Sequence, residues 1–230
     1  MNGAPLPDRP APPPLPAGAL VLAFDGASPV ASAALARDGV LLAERIRPEA
    51  RSSGVLLGLI EAALTAAGAK PADLAALIAL RGPGSFTGTR VTLATAAGLR
   101  RGGVPRATAV SNLEALALAA PAAFRRPLAA VDALRGDWFL QPFAAGPAGP
   151  TPLAEPTLAG AGAPPPPGCD GVVGFGQEAL RERWAGLAVS EPASLAGAVA
   201  VAGSRGRWIW DAELLVRPLY LRPPATRGAG

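Results

Sequence analysis

Nucleophilic and metal chemistry in proteins leans on histidine and cysteine, and this chain has no histidine and one cysteine, Cys169. Ser-His-Asp triads, Cys-His dyads and histidine-dependent metal sites are therefore excluded within a single chain. No paired acidic motif points to a carboxylate-only magnesium site, so no metal ligand is assigned. A lone thiol cannot close an internal disulfide, which fits a reducing compartment. The remaining candidates are two glycine-rich joints. The first is Asp25-Gly26-Ala27-Ser28, directly after the apolar run LVLAFD. The second is RGPGSFTGTR, residues 81–90, between an apolar run and a helical-looking run.

Each joint has two readings. Asp25 to Ser28 is either an Asx turn that needs no ligand or a turn that grips phosphate. In RGPGSFTGTR, Ser85 is the expected N-cap, with backbone N–H groups beyond it that suit an anion. Alternatively, Gly82 and Gly84 only let the chain turn, and Phe86 plugs the core beneath. A Walker loop is excluded, because it needs four residues between its glycines and then Lys-Ser/Thr. Here three residues separate Gly84 from Gly88, and no lysine follows. The dinucleotide fingerprint fails as well, since its last glycine would fall on Thr87. Asp132-Ala133-Leu134-Arg135-Gly136 makes a poor second phosphate turn. Asp25, Gly26, Ser28, Gly84 and Ser85 are therefore the candidate contacts of a vestigial nucleotide or anion site.

The elements that position these joints are legible. Residues 19–25, 30–36 and 40–47 read as strands, with Asp38-Gly39 as a hairpin turn. Residues 52–67 read as a helix, capped by Ser52 or Ser53 and ended at Gly68. Its core stripe is Leu56, Leu59, Ile60, Ala63, Leu64 and Ala67. The opposite side, Val55, Gly58, Ala62 and Ala66, is also apolar, and Glu61 is the only charge. Such a helix is covered on two sides, by the fold or by a partner. LAALIAL (74–80) fits a central strand, and a second helix runs from the glycine joint to about Arg101. PRATAV reads as a strand and SNLEALALAA as a helix capped by Ser111. Residues 127–133, 137–143, 171–176 and 187–192 are further strands. Residues 177–186 and 194–208 are further helices. Residues 144–168 read as a long loop, and 217–224 as a final extended piece.

The order βββαβα, followed by a decayed second version, predicts an α/β fold with two related lobes, the second degenerate. The expected division is a disordered Pro-rich tail at 1–17, an N-terminal lobe at 18–103, a C-terminal lobe at 104–222 and a flexible tail at 223–230. The net charge of +4 comes from 21 basic and 17 acidic residues. These charges are scattered without a basic run, so direct nucleic-acid binding is not indicated by charge. No apolar run reaches a membrane span, and a cytoplasmic protein without membrane contact is expected.

FDGASPVASAAL, RGPGSFTGTRVTLATAAGL, SNLEALA and VDALRGDWF, in that order, resemble the TsaB (YeaZ) family. The resemblance implies the actin, Hsp70 and sugar kinase (ASKHA) fold. It also implies a non-catalytic scaffold that pairs with TsaD. Together they would serve N6-threonylcarbamoyladenosine (t6A) modification at position 37 of ANN-decoding tRNAs. In that scheme TsaC makes the threonylcarbamoyl-adenylate, TsaD transfers the group and TsaE is an ATPase that cycles the complex. ATP and metal belong to these partners, tRNA is met indirectly, and this chain alone holds no cofactor. The chain departs from the family at Arg51-Ser52, where a His-Ser pair is common, at Ala97, where a lysine is common, and at Trp138-Phe139. The implied partner face is Val55, Gly58 and Ala62 on the first helix, with Thr92, Thr95 and Gly98 on the second. Two other readings stand beside this one. One is an ATP-dependent small-molecule kinase or ATPase of the same superfamily, with Asp25 on the phosphate side. The other is a self-associating module that closes its free helix face as a homodimer.

Overall fold

A computed structural model describes residues 14–48 and 54–221. The chain begins with β1 (Leu20–Asp25), β2 (Val30–Arg37) and β3 (Val40–Pro48), each antiparallel to the one before. The turn between β2 and β3 has two residues, Asp38 and Gly39, with φ of 49° and 79°. Both values are positive, as the tight hairpin turn requires, and an Asp-Gly pair tolerates them. Next come α1 (Val55–Ala66), β4 (Leu74–Leu80), α2 (Phe86–Arg101) and β5 (Arg106–Val110). The sheet order is β3-β2-β1-β4-β5, with β4 parallel to β1 and β5 parallel to β4. The inner strands β1 and β4 are covered on both faces, which explains their unbroken apolar runs.

After α3 (Asn112–Leu118) the pattern restarts with β6 (Pro127–Asp132), β7 (Trp138–Ala144), β8 (Thr151–Pro152) and β9 (Thr157–Ala159). Then follow β10 (Gly171–Gly174), α4 (Gln177–Arg183), β11 (Ala188–Ser190) and α5 (Ala196–Ser204). This sheet runs β11-β10-β6-β7-β8, with β9 also on β7. β6 pairs antiparallel with β7 and parallel with β10, just as β1 pairs with β2 and β4. The second lobe thus repeats the first in topology. Residues 160–170 hold no helix, so the counterpart of α1 is missing. That loss is the degeneracy expected from the sequence. The architecture is α/β, with two sheets of related topology.

Five layers result. α1 and α2 cover one face of the first sheet, around Leu22, Phe24, Leu77, Leu56, Ile60 and Leu93. α3 and α5 fill the space between the sheets, where Leu113, Leu116, Val199 and Ala200 meet Val21, Ile78, Ala129 and Phe143. α4 backs the second sheet through Leu180, beside Trp138 and Trp184. α5 has no acid in its first turn and borrows one. The Glu44 carboxylate accepts the Gly197 N–H at 2.9 Å and the Ser194 hydroxyl, where the helix dipole favours negative charge. At the other end the Gly39 N–H donates to Ser204 Oγ at 2.8 Å.

Several expectations are corrected. The lobe boundary at 103/104 falls too early, because β5 hydrogen-bonds to β4 and completes the first sheet. The segment 144–168 contains β8 and β9, which pair with β7 where the sequence pattern is weak. Residues 217–221 form no strand and follow a 3-10 turn, Ala212–Val216. α1 is capped by the backbone of Gly54, not by a serine, and Ser52 and Ser53 lie outside the described residues. Its far end matches expectation. Gly68, at φ 62°, closes a Schellman motif in which the Ala69 N–H reaches the Leu64 carbonyl at 3.0 Å. Most of the 1–17 tail, Arg51-Ser52 and the 223–230 tail also fall outside the described residues. Leu15, assigned to the tail, packs against the inter-sheet core.

Candidate functional site

The two glycine joints meet. β1 ends at Asp25, which is fully buried. Asp25 Oδ1 accepts the Ala27 N–H at 2.8 Å, the Ser28 N–H at 3.4 Å and Asn112 Nδ2 at 3.3 Å. The first of these is an Asx turn. Asp25 Oδ2 is buried and has no hydrogen-bond partner among the described residues. Burial pushes the Asp25 carboxyl above its ordinary range, against the hydrogen bonds from Ser28, Ala27 and Asn112 that favour the anion.

The second joint leans on the first. The Ser85 N–H donates to the Ala27 carbonyl at 2.8 Å. Ser85 caps α2 as expected, its Oγ accepting the Gly88 N–H at 3.2 Å. A Cβ at Gly84 would lie 2.5 Å from the Ala27 carbonyl oxygen, and one at Gly88 would collide with the Gly26 carbonyl. These glycines exist so that α2 can start against the Asp25 turn. Thr92 then locks the contact. Its Oγ accepts the Gly26 N–H at 3.0 Å and donates to the Gly88 carbonyl at 2.8 Å. Asn112, next to the N-cap Ser111, ties in the third segment. Its Nδ2 donates to Ser28 Oγ at 2.9 Å, and its Oδ1 accepts the Gly82 N–H at 2.8 Å. Nothing in the residue types singled out Asn112. The available signal was a second polar residue directly after a helix cap.

The N–H groups of Gly26, Ala27, Ser28, Ser85 and Gly88 are all engaged inside the protein, so a phosphate would have to displace them. Asp132 holds the equivalent strand end in the second lobe. Its Oδ1 accepts the Leu134 N–H at 2.7 Å, the same Asx bond as at Asp25. Asp132 is exposed, however, and is not brought into the Asp25 network. Among the described residues no cluster of three or more His, Cys, Asp or Glu side chains could hold a metal ion. Cys169 is half-buried, and burial raises its thiol pKa, which disfavours the nucleophilic thiolate.

The helix faces are distinct from this network. On α1, Gly58 and Ala62 are exposed and Val55 is half-exposed. On α2, Gly98 is exposed and Thr95 is half-exposed. Thr92 is a correction: it is 0 % exposed and belongs to the internal lock, so it cannot lie on an outer face. Phe86 is another. It is 53 % exposed, because the space beneath the turn is already filled by backbone. Its ring stacks on Tyr220 at 5.2 Å, and the Arg90 guanidinium lies 3.9 Å above it. Leu57, 54 % exposed on α1, is an apolar surface residue that helical spacing alone did not single out.

A family model for TsaD, tRNA N6-adenosine threonylcarbamoyltransferase, matches residues 47–141. The tRNA threonylcarbamoyladenosine biosynthesis protein TsaB of Escherichia coli is 35% identical over 119 residues, which is 51% of this chain and 52% of that protein. The match thus spans about half the length of that relative. An uncharacterised protein of Mycobacterium tuberculosis is 42% identical over 85 residues, 34% of this chain and 38% of its own. Among solved structures, YeaZ from Pseudomonas aeruginosa superposes with a TM-score of 0.74 at 24% identity, over 88% of this chain and 100% of that one. The chain is thus similar in sequence to TsaB over about half of its length, and it shares the fold of YeaZ over 88% of its length.

Proposed function

We propose that this chain is a non-catalytic scaffold subunit that pairs with TsaD in N6-threonylcarbamoyladenosine modification of tRNA. Its own surface would be the α1/α2 layer, at Val55, Gly58, Ala62, Thr95 and Gly98. One observation carries this reading. Gly58 and Gly98 sit inside helices, where glycine costs about 1 kcal/mol relative to alanine. Yet a Cβ at either position would meet nothing within 4 Å among the described residues. The packing of those residues gives no reason for these glycines. Close approach of a partner helix does. The nearly uncharged outer side of α1 fits the same use.

The assembly role follows from this surface. The chain would bury its helix face against the equivalent helices of TsaD and hold that subunit in its working form. TsaE and TsaC would act elsewhere in the scheme, and ATP and metal would be held by the partners. A homodimer through the same face is the state expected when TsaD is absent. Among the described residues no helix is long and apolar enough to cross a membrane, and the proposed setting is the cytoplasm. The kinase or ATPase reading finds no support at Asp25, whose carboxylate is enclosed.

The test is co-purification and size exclusion of this chain with TsaD from the same organism, beside an ATP turnover assay of this chain alone. A one-to-one complex lost on Ala62→Glu, with the variant still folded, is the expected result. Turnover without TsaD and no complex would sink the scaffold reading.

A further inference from the structure

Residues 206–210 leave α5 and form an open cleft with the start of the described chain. Pro14, Leu15, Gly206, Arg207, Trp208 and Trp210 line it, with Ile209 at its mouth. One wall is firmly held. Glu114 Oε1 accepts Trp208 Nε1 at 2.9 Å and forms an ion pair with Arg207 at 3.0 Å. Arg207 also donates to the carbonyls of Ala148 and Pro150. The other features are unspent. Ile209 is 66 % exposed, and the Trp210 indole N–H donates no hydrogen bond among the described residues. Two tryptophans with an apolar neighbour and a free indole donor are what an extended proline-rich strand docks on. Such a strand brings apolar rings, and carbonyls that lack intrachain partners.

The chain carries a segment of that composition directly before residues that line the cleft. Pro14 and Leu15 already line it, and Leu15 packs on the core below. Directly before them lie Pro5, Pro7, Pro10, Pro12 and Pro13. We propose that this N-terminal proline-rich segment, residues 4–13, docks in cis along the Trp208-Ile209-Trp210 cleft. Trp210 would donate to one of its carbonyls. Covalent attachment at Pro14 makes docking intramolecular, so even weak contacts hold the segment at a high effective concentration. The prolines reduce the ordering entropy that docking must overcome.

Tryptophan fluorescence of the full chain tests this directly. Trp138 and Trp184 are 6 % and 3 % exposed, so acrylamide quenching reports mainly on Trp208 and Trp210. Replacing Pro5, Pro7, Pro10 and Pro12 by glycine should raise the quenching constant by at least about twofold, as expected when a shielding state populated by half or more is removed. The far-UV circular dichroism should stay unchanged. In a Trp210→Phe background the same replacement should have much less effect. Unchanged quenching in the proline-replaced chain overturns the proposal. So does shielding that strengthens with protein concentration, which would assign the cleft to the segment of a second copy.

Discussion

Asp25 is a buried acid whose Oδ1, among the described residues, has three donors and whose Oδ2 has none. Burial raises its folded pKa above the ordinary 3.8, so the folded state binds the proton more tightly than the unfolded chain does. The sign follows. Below about 3.8 the group costs nothing, and as pH rises from there to the folded pKa it progressively destabilises the fold. Asp25→Asn keeps an oxygen for Ala27 and carries no charge. It should flatten that part of the Tm-against-pH curve and leave the protein at least as stable at neutral pH. A large loss of stability at pH 7 would show that the charged carboxylate is needed. Thr92 supplies a different residue-scale test. Thr92→Val conserves shape but strands the half-buried Gly26 N–H, so it should cost about 1 kcal/mol in denaturant unfolding. A neutral result would mean that water replaces the hydroxyl.

At the scale of elements, α1 and α2 each present two sides. Their inner stripes, with Leu56, Ile60 and Leu93, are committed to the first sheet. Their outer sides carry the small residues. Gly58→Ala therefore separates folding from assembly. In the isolated chain it should be neutral or stabilising, by up to about 1 kcal/mol, since alanine is the better helix former and space is open. In the proposed assembly it should weaken TsaD binding, because a methyl group would hold the helices apart. Isothermal titration beside thermal melts reads both effects, and a stability gain with unchanged affinity would remove Gly58 from the interface. α5 illustrates the opposite dependence. It is nearly featureless in sequence, and Glu44 and Ser32 on distant strands satisfy its first turn.

For the whole molecule, the helices between the sheets decide how the lobes behave. Leu113 is 0 % exposed in a cluster that joins both sheets. Leu113→Ala should lower stability by about 2–5 kcal/mol through cavity formation. The lobes should still melt together, so that near-UV signals of Trp138 and Trp184 in the second lobe track the far-UV transition. Two separated transitions would show that the lobes fold independently. The segment after α5 adds a further tie. The Leu219 N–H donates to the Arg81 carbonyl at 2.8 Å, and Tyr220 stacks on Phe86, so residues 219 and 220 clasp the glycine joint.

Local physics made the inner strands, the Asp38-Gly39 turn, the Ser85 and Ser111 caps and the Gly68 ending readable from residues alone. Each depends on neighbours within a few positions. The repeated lobe was visible for the same reason, as an order of local patterns. Position in space was not local. Thr92 and Phe86 lie at positions where helical periodicity does not distinguish an internal lock from an outer face. Only the approach of the Gly26 turn buries Thr92, and the same backbone contact pushes Phe86 outward to Tyr220, more than a hundred residues away in the chain. β5 joined the first sheet, and β8 and β9 formed, because β4 and β7 offered open edges to pair with. The residue types determined the elements and excluded histidine and disulfide chemistry. Tertiary contact decided which polar groups were spent on one another, and hence that the N–H groups of Gly26, Ala27, Ser28, Ser85 and Gly88 are engaged inside the joint.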